Sequence, residues 1–114
     1  MINHKDRRHH PRTKIKLPVV KMAKEGLVDG EIQDLSVAGA FIRCPAMPQV
    51  KNSFQMVISA KGRLISITAG MVWRDFDKFK NKNKLRGIGV RFEKIFSGDR
   101  LFLREVIAKH QRNI

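Results

Sequence analysis

Hydrophobic and polar residues alternate where the first apolar segment of the chain begins. Lys14 and Lys16 fall on one side of this segment, and Ile15 and Leu17 fall on the other. A period of two is that of a β-strand with one face buried and one face in water. Pro18 follows directly and has no N–H to donate, so the sequence predicts an edge strand or a bulge at this point.

Further segments have strand character and are separated by stretches rich in glycine, proline or charge. These predicted strands cover residues 28–35, 40–43, 53–59, 64–73 and 86–93. Residues 60–63, Ala-Lys-Gly-Arg, join two of them as a hairpin, and the charged stretch 74–85 is predicted to be an exposed loop. Trp73 ends an apolar strand and is therefore predicted to lie in the core.

The C-terminal segment has a helical period instead. Its apolar positions are Phe102, Leu103, Val106 and Ile107. This spacing predicts an amphipathic helix over about residues 97–112, with Ser97 or Asp99 as the N-cap. Short strands followed by one helix indicate an all-β domain, a small antiparallel barrel or sandwich with the helix packed against one open end.

The first residues differ from the rest of the chain. Residues 1–12 are almost wholly polar and contain too few apolar groups to fix their conformation, so they are predicted to form a flexible basic arm. Residues 13–114 are predicted to form the folded domain. His4, His9 and His10 lie on the arm without further ligands at a rigid spacing, and we therefore predict no metal site there.

Charge narrows the class of partner. The 114 residues suit a single domain, and 24 Lys and Arg against 10 Asp and Glu give a net charge of +14. Such a charge favours phosphate-bearing partners, whether nucleic acid, an anionic membrane or a nucleotide, although it also serves solubility. Cys44 has no partner for a disulfide, and the sequence shows neither a signal peptide nor a long apolar run. A cytoplasmic protein without a membrane span is expected.

A pair of arginines stands between the arm and the first strand. Arg8 and Arg12 are four residues apart, and Pro11 keeps the segment between them extended. Two guanidinium groups presented in this way suit phosphate oxygens or the O6 and N7 edge of guanine. Arg100 and Arg104 repeat the spacing on the predicted helix, where we expect a solvated face. The chain thus carries its own control pair.

A second motif follows the second predicted strand. Asp34, Ser36 and Gly39 combine an acid, a hydroxyl and a glycine at fixed offsets. A carboxylate can accept from the N1 and N2 donors of guanine, a hydroxyl can donate to a phosphate or a base, and a glycine lets the backbone approach a ligand. The alternative is an ordinary turn in which the two polar side chains satisfy nearby backbone groups.

Taken together, the two motifs resemble the binding signature of the PilZ domain family, receptors for the bacterial second messenger cyclic di-GMP. The order and spacing of Arg-x-x-x-Arg and Asp-x-Ser-x-x-Gly match, as do the closing strand 87–92 and the helix after it. The resemblance implies a six-stranded antiparallel β-barrel with a C-terminal α-helix. It also implies cyclic di-GMP as the ligand, bound by Arg8, Arg12, Asp34, Ser36 and Gly39. A basic residue at Arg7 is associated in the family with a stacked ligand dimer, so Arg7 is included in the predicted site.

The resulting hypothesis is a receptor domain in which cyclic di-GMP orders the arm and creates a surface for a protein partner. No cofactor and no catalysis are predicted, because no nucleophile and base are paired in the sequence. One alternative is a nucleic-acid-binding barrel, favoured by charge but lacking a clear run of aromatic residues, with Phe76 and Phe79 undecided. The other is an adaptor of PilZ type that binds protein and no nucleotide. The basic residues within 78–86 are a possible further partner surface, although a solvated run of charge is the commoner explanation.

Overall fold

Six strands and one helix make up the computed structural model, which describes residues 12–23, 26–44, 53–76 and 85–112. The elements are β1 (Thr13–Ala23), β2 (Gly26–Leu35), β3 (Gly39–Arg43), β4 (Ser53–Ala60), β5 (Arg63–Phe76), β6 (Leu85–Lys94) and α1 (Ser97–Arg112). All neighbouring strands are antiparallel and form a closed barrel in the order β1-β2-β3-β6-β5-β4. The predicted barrel with a C-terminal helix is confirmed.

Strand β1 closes the barrel because it pairs with β2 on one side and with β4 on the other. Its register with β2 shifts between Lys14 and Leu17, and its pairing with β4 runs only from Val19 to Met22. Pro18 lies between these two features and has no N–H to donate. The bulge predicted near Pro18 is therefore present, whereas the alternative of an edge strand is wrong.

The core fills the barrel with the inward-facing residues of every strand. The largest fully buried side chains are those of Val19, Ile32, Leu35, Ile42, Cys44, Met56, Ile58, Ile65, Ile67, Ile88, Val90 and Leu103. Leu103 belongs to α1, and Val106 and Ile107 beside it are also buried, so the apolar stripe of the helix completes the core as predicted. Burying each such side chain stabilises the fold by about 1.5–3 kcal/mol relative to exposure.

The predicted hairpin joins β4 and β5 through a two-residue turn. Lys61 and Gly62 both have positive φ, 51° and 80°, which is the conformation of a turn that matches the twist of two antiparallel strands. A Cβ at Gly62 would meet no atom within 4 Å, so its backbone conformation and not space is what favours glycine there.

Strand β5 differs from its prediction at its C-terminal end. It continues to Phe76, into the stretch predicted to be a loop. Its register with β6 shifts between Met71 and Trp73, and this irregularity turns the side chain of Trp73 away from the core. Trp73 is 44% exposed, so its predicted place in the core is wrong.

Helix α1 is attached to the barrel near both of its ends. Asp99, in the first turn, accepts hydrogen bonds from Arg63 at the start of β5. Near the other end, Gln111 donates to the hydroxyl of Thr13 over 2.6 Å, Nε2 to Oγ1. The acid predicted as a possible cap thus ties the helix to the hairpin. In the described part of the chain, no helix has the length and apolar character needed to cross a membrane.

Candidate functional site

The structure brings together one residue from each predicted motif. Arg12 precedes β1, and Asp34 lies near the end of β2, where the antiparallel register places it opposite Lys14. Arg12 Nη1 donates to Asp34 Oδ1 over 2.9 Å. Arg7 and Arg8 lie outside the described residues.

This ion pair leaves hydrogen-bonding capacity on both partners. The side chains of Arg12 and Asp34 are 22% and 30% exposed, so a molecule on the barrel surface can reach them. Arg12 Nε is buried and has no hydrogen-bond partner in the part of the chain that the structure describes. A buried donor without a partner is unfavourable by about 1–3 kcal/mol, and a carboxylate offers about four acceptor positions. The pair is therefore suited to bind a further polar group.

Ser36 organises the turn between β2 and β3. Its buried hydroxyl accepts from the N–H groups of Ala38 and Gly39, both over 3.1 Å, and donates to the carbonyl of Gly39 over 3.3 Å. The backbone N–H of Ser36 donates to the same carbonyl over 2.9 Å. In this structure the hydroxyl thus shapes the turn that follows Asp34, as in the alternative interpretation of the motif.

Gly39 is required by the contact between β3 and β6. A Cβ at this position would collide with the backbone carbonyl oxygen of Val90. The glycine therefore lets β3 pair closely with β6, and this holds Asp34 and the turn in a fixed position relative to the rest of the sheet.

Two aromatic rings lie beside the ion pair on the outside of the barrel. Asp34 on β2 pairs with Phe41 on β3. Phe41 also pairs with Gly89 on β6, and Gly89 pairs with Trp73 on β5. The rings of Phe41 and Trp73 are stacked, with centroids 5.2 Å apart and planes within 7°. One row across β2, β3, β6 and β5 thus joins a carboxylate to an aromatic stack.

Glycines of β6 make room for these rings. A Cβ at Gly89 would collide with the Trp73 indole, and a Cβ at Gly87 would come within 2.6 Å of the Phe41 ring. The rings therefore lie over the backbone of β6. The sequence signal for this arrangement is Gly87-Ile88-Gly89, a stretch in which both outward-facing positions lack a side chain; alternation alone does not reveal it.

Exposed cations surround the same face. Lys14 is exposed opposite Asp34, and Arg91, the neighbour of Gly39 on β6, has a side chain that is 68% exposed. Arg91 donates to Glu93 over 3.3 Å, and Glu93 also accepts from Ser53 over 2.7 Å. The Ser53 hydrogen bond lowers the pKa of Glu93, and that from Arg91 lowers it further. Positive charge around a carboxylate and two aromatic rings suits an anionic ligand with a flat ring.

The control pair of arginines lies elsewhere. Arg100 and Arg104 are both exposed on α1, so the solvated helical face predicted for them is confirmed. His4, His9 and His10 lie outside the described residues, as do residues 77–84 of the basic stretch.

Fold and site together define a small β-barrel domain whose outer face presents an arginine–aspartate pair beside an aromatic stack. A family model of the PilZ domain matches residues 6–109, and the chain belongs to this family. No curated protein sequence matches it.

Solved structures show the same fold at low identity. The inhibitor of motility MotI/DgrA of Bacillus subtilis has a TM-score of 0.78 at 19% identity, over 99% of this chain and 57% of that one. YcgR of Escherichia coli in complex with c-di-GMP has a TM-score of 0.75 at 15% identity, over 94% of this chain and 47% of that one. The PilZ domain of YcgR with c-di-GMP has a TM-score of 0.71 at 13% identity, over 95% of this chain and 94% of that one. The chain therefore spans about half the length of the first two proteins.

Proposed function

We propose that this domain is a receptor for cyclic di-GMP, which binds on the outer face of the barrel between the Arg12–Asp34 pair and Trp73. The observation that carries the proposal is the ion pair at 2.9 Å, which joins the two motifs and leaves Arg12 Nε buried without a partner among the described residues. Membership of the PilZ family supports it, as do the c-di-GMP complexes of YcgR, which share the fold.

Guanine can use each part of this face. Asp34 has acceptor positions left for the N1 and N2 donors of a guanine base, and the Arg12 guanidinium suits its O6 and N7 edge or a phosphate. The exposed ring of Trp73, backed by Phe41, offers a surface for stacking. Ser36 and Gly39 then act as positioning residues, since the turn and the close strand pairing hold Asp34 in place.

The arm completes the site in this proposal. Arg7 and Arg8 supply further guanidinium groups for the phosphates, and a stacked pair of ligand molecules would use both. Ordering the segment from Arg8 to Arg12 costs roughly 1–2 kcal/mol per residue, which charge-assisted hydrogen bonds of about 1.5–3 kcal/mol each offset. The ordered arm becomes a new surface that a protein partner recognises in the cytoplasm. Binding, not catalysis, is the activity.

Calorimetric titration tests the ligand. We expect micromolar or tighter binding of cyclic di-GMP and much weaker binding of cyclic di-AMP, because adenine lacks the N1 and N2 donors from which Asp34 can accept hydrogen bonds. GTP has the same base as the messenger and is titrated as a mononucleotide control. Comparable affinity for cyclic di-AMP would contradict the proposed role of Asp34. Tighter binding of a short DNA duplex would favour the nucleic-acid alternative, and no binding of any of these ligands would favour the adaptor.

A matched pair of double variants separates a site from general attraction of anions. Arg8→Ala with Arg12→Ala should abolish binding of cyclic di-GMP, whereas Arg100→Ala with Arg104→Ala removes the same charge from the exposed face of α1 and should leave binding intact. Equal loss in both would mean that net charge alone attracts the messenger. Arg8→Lys and Arg12→Lys should also lose binding of cyclic di-GMP, because lysine keeps the charge but lacks the planar guanidinium that donates two parallel hydrogen bonds.

Backbone amide NMR of residues 7–10 tests the role of the arm, because Pro11 has no amide proton and Thr13 already lies in β1. We expect sharp resonances with random-coil shifts in the free protein and dispersed, protected resonances in the complex. Resonances of the arm that stay sharp at saturation would show that the barrel face binds alone.

A further inference from the structure

A groove lies between the β4–β5 turn and α1, away from the row of residues that forms the proposed ligand site. It has a volume of about 330 Å³ and is lined by Lys61, Phe102, Glu105, Val106, Lys109 and His110. Phe102 and Val106 give it an apolar floor, and the polar residues form its rim. Pockets for drug-sized ligands start at about 300 Å³, so this groove has room for one large side chain and its flanking backbone.

The charge of the rim favours an acidic occupant. Lys61 and Lys109 are both exposed, and neither forms an ion pair within the described residues. Glu105 is the single carboxylate among the lining residues. Ammonium groups on both walls of a concave apolar site attract carboxylates that flank a hydrophobic side chain.

The apolar floor of the groove favours a protein side chain as the occupant. The Arg63 guanidinium lies 4.9 Å from the centroid of the Phe102 ring and is fixed there by Asp99 at 2.7 Å, so the ring is held in place within the fold. An aliphatic or aromatic side chain can pack against Phe102 and Val106. A concave floor also fits a protein segment better than a bilayer, which binds protruding apolar side chains.

We propose that this groove is a docking site for an acidic segment of a partner protein, anchored by one hydrophobic side chain between Lys61 and Lys109. The groove is also connected to the ligand site. Lys109 and His110 share the last turns of α1 with Gln111, which donates to Thr13 over 2.6 Å, and Thr13 directly follows Arg12. A ligand that fixes Arg12 also fixes this connection and one wall of the groove; this dependence on the ligand rests on the proposed function, whereas the docking site does not.

Chemical-shift mapping on the whole chain tests the docking site. The probe is a short synthetic peptide with Leu-Phe flanked on both sides by glutamates. We expect shifts concentrated at Lys61, Phe102, Lys109 and His110, and a peptide with Ala-Ala in place of Leu-Phe should bind about thirtyfold more weakly, the loss typical of a buried anchor. Equal binding of the two peptides, or shifts spread over all basic surfaces, would overturn the proposal.

Charge reversal supplies the matched control. Lys61→Glu with Lys109→Glu should lower the affinity for the peptide by about tenfold or more. Lys16→Glu with Lys94→Glu changes the same charge outside the groove and should lower the affinity by less than about threefold. Similar losses in both variants would overturn the docking site. So would groove shifts produced by phosphatidylglycerol vesicles or duplex DNA but not by the peptide.

The link to the messenger is tested with the same peptide. Saturating cyclic di-GMP should raise the affinity for the peptide by about fivefold or more. The Gln111→Ala variant should bind the peptide and cyclic di-GMP separately, but the messenger should no longer raise its affinity for the peptide. An undiminished gain in Gln111→Ala would overturn the connection. If cyclic di-GMP does not bind while the peptide does, the proposed function fails and the docking site stands. If cyclic di-GMP binds while the peptide does not, the docking site fails.

Discussion

Two arginine–aspartate pairs of this barrel differ in what they leave unsatisfied. Arg63 donates from Nε and Nη2 to Asp99, over 3.1 and 2.7 Å, and also lies over the Phe102 ring. Arg12 donates from Nη1 alone to Asp34, over 2.9 Å, and its Nε is buried without a partner among the described residues. The Arg63 guanidinium makes two hydrogen bonds to its aspartate, whereas that of Arg12 makes one within the described residues.

The two pairs differ in bonding more than exposure alone would suggest. Arg63 is the more exposed of the two arginines, at 47% against 22% for Arg12, so exposure alone would not single out Arg12. The unpaired Nε and the neighbouring residues distinguish Arg12. Its ion-pair partner Asp34 lies opposite Phe41, and the ring of Phe41 is stacked on that of Trp73. A buried donor without a partner is uncommon in native proteins, so the unpaired Nε of Arg12 among the described residues makes this pair the candidate site.

The largest expected effect is that of Arg12→Ala on messenger binding. The variant loses two charge-assisted hydrogen bonds to the ligand, at about 1.5–3 kcal/mol each, so its affinity for cyclic di-GMP should fall by more than about a hundredfold. Arg63→Ala is the matched control, because it removes the same group from the satisfied pair, and calorimetry should show unchanged affinity. Equal losses in the two variants would remove the distinction between the pairs.

Trp73→Ala should have the next largest effect. Stacking of a base on an aromatic side chain contributes about 1–3 kcal/mol, so the affinity for cyclic di-GMP should fall by about five- to a hundredfold. Phe96→Ala removes another exposed aromatic ring, one that is 77% exposed, and should leave the affinity unchanged. Full affinity in Trp73→Ala would place the ligand away from the aromatic stack.

Ser36→Ala should lower the stability of the fold and, through the turn, the affinity. It leaves two N–H groups, those of Ala38 and Gly39, without their acceptor, and this should lower the free energy of unfolding by about 1–2 kcal/mol. Urea denaturation measures this loss. A variant of normal stability with no messenger binding would show instead that the hydroxyl contacts the ligand.

Arg63→Ala should have the smallest effect. It removes an ion pair and a cation–π contact of a half-exposed arginine, which together contribute about 1 kcal/mol or less, and so weakens the attachment of α1 to the hairpin. The same urea experiment should show a slightly lower midpoint, with Arg12→Ala affected less. A larger destabilisation in Arg12→Ala would mean that the Arg12–Asp34 pair is structural as well.

Periodicity alone predicted most of the fold. Alternation located six strands, the Lys61-Gly62 turn has the chemistry of a hairpin, and the apolar stripe of α1 completes the core. The closed barrel was predicted from the resemblance to the PilZ family, and the order of the strands in it was not predicted, because alternation does not specify which strands pair. Trp73 escaped prediction because one bulge reverses the alternation, and a bulge has no signature in the pattern of apolar residues.

The sequence predicted which residues form the candidate site better than it predicted how they are arranged. The motifs identified Arg12 and Asp34, and the structure places them in contact. Sequence could not separate a ligand-binding hydroxyl from a turn-forming one at Ser36, since both use the same residue and offset. It also could not show that Gly39 faces the Val90 carbonyl, because that contact depends on the pairing of β3 with β6.

The side-chain N–H resonances of the two arginines test the central claim most directly. On saturation with cyclic di-GMP, we predict that the Arg12 Nε–H resonance shifts, because the messenger contacts the exposed part of the same guanidinium. The Arg63 Nε–H, already bonded to Asp99, should keep its position. An Arg12 resonance that is unchanged in the saturated complex, or one that moves no more than that of Arg63, would contradict the account.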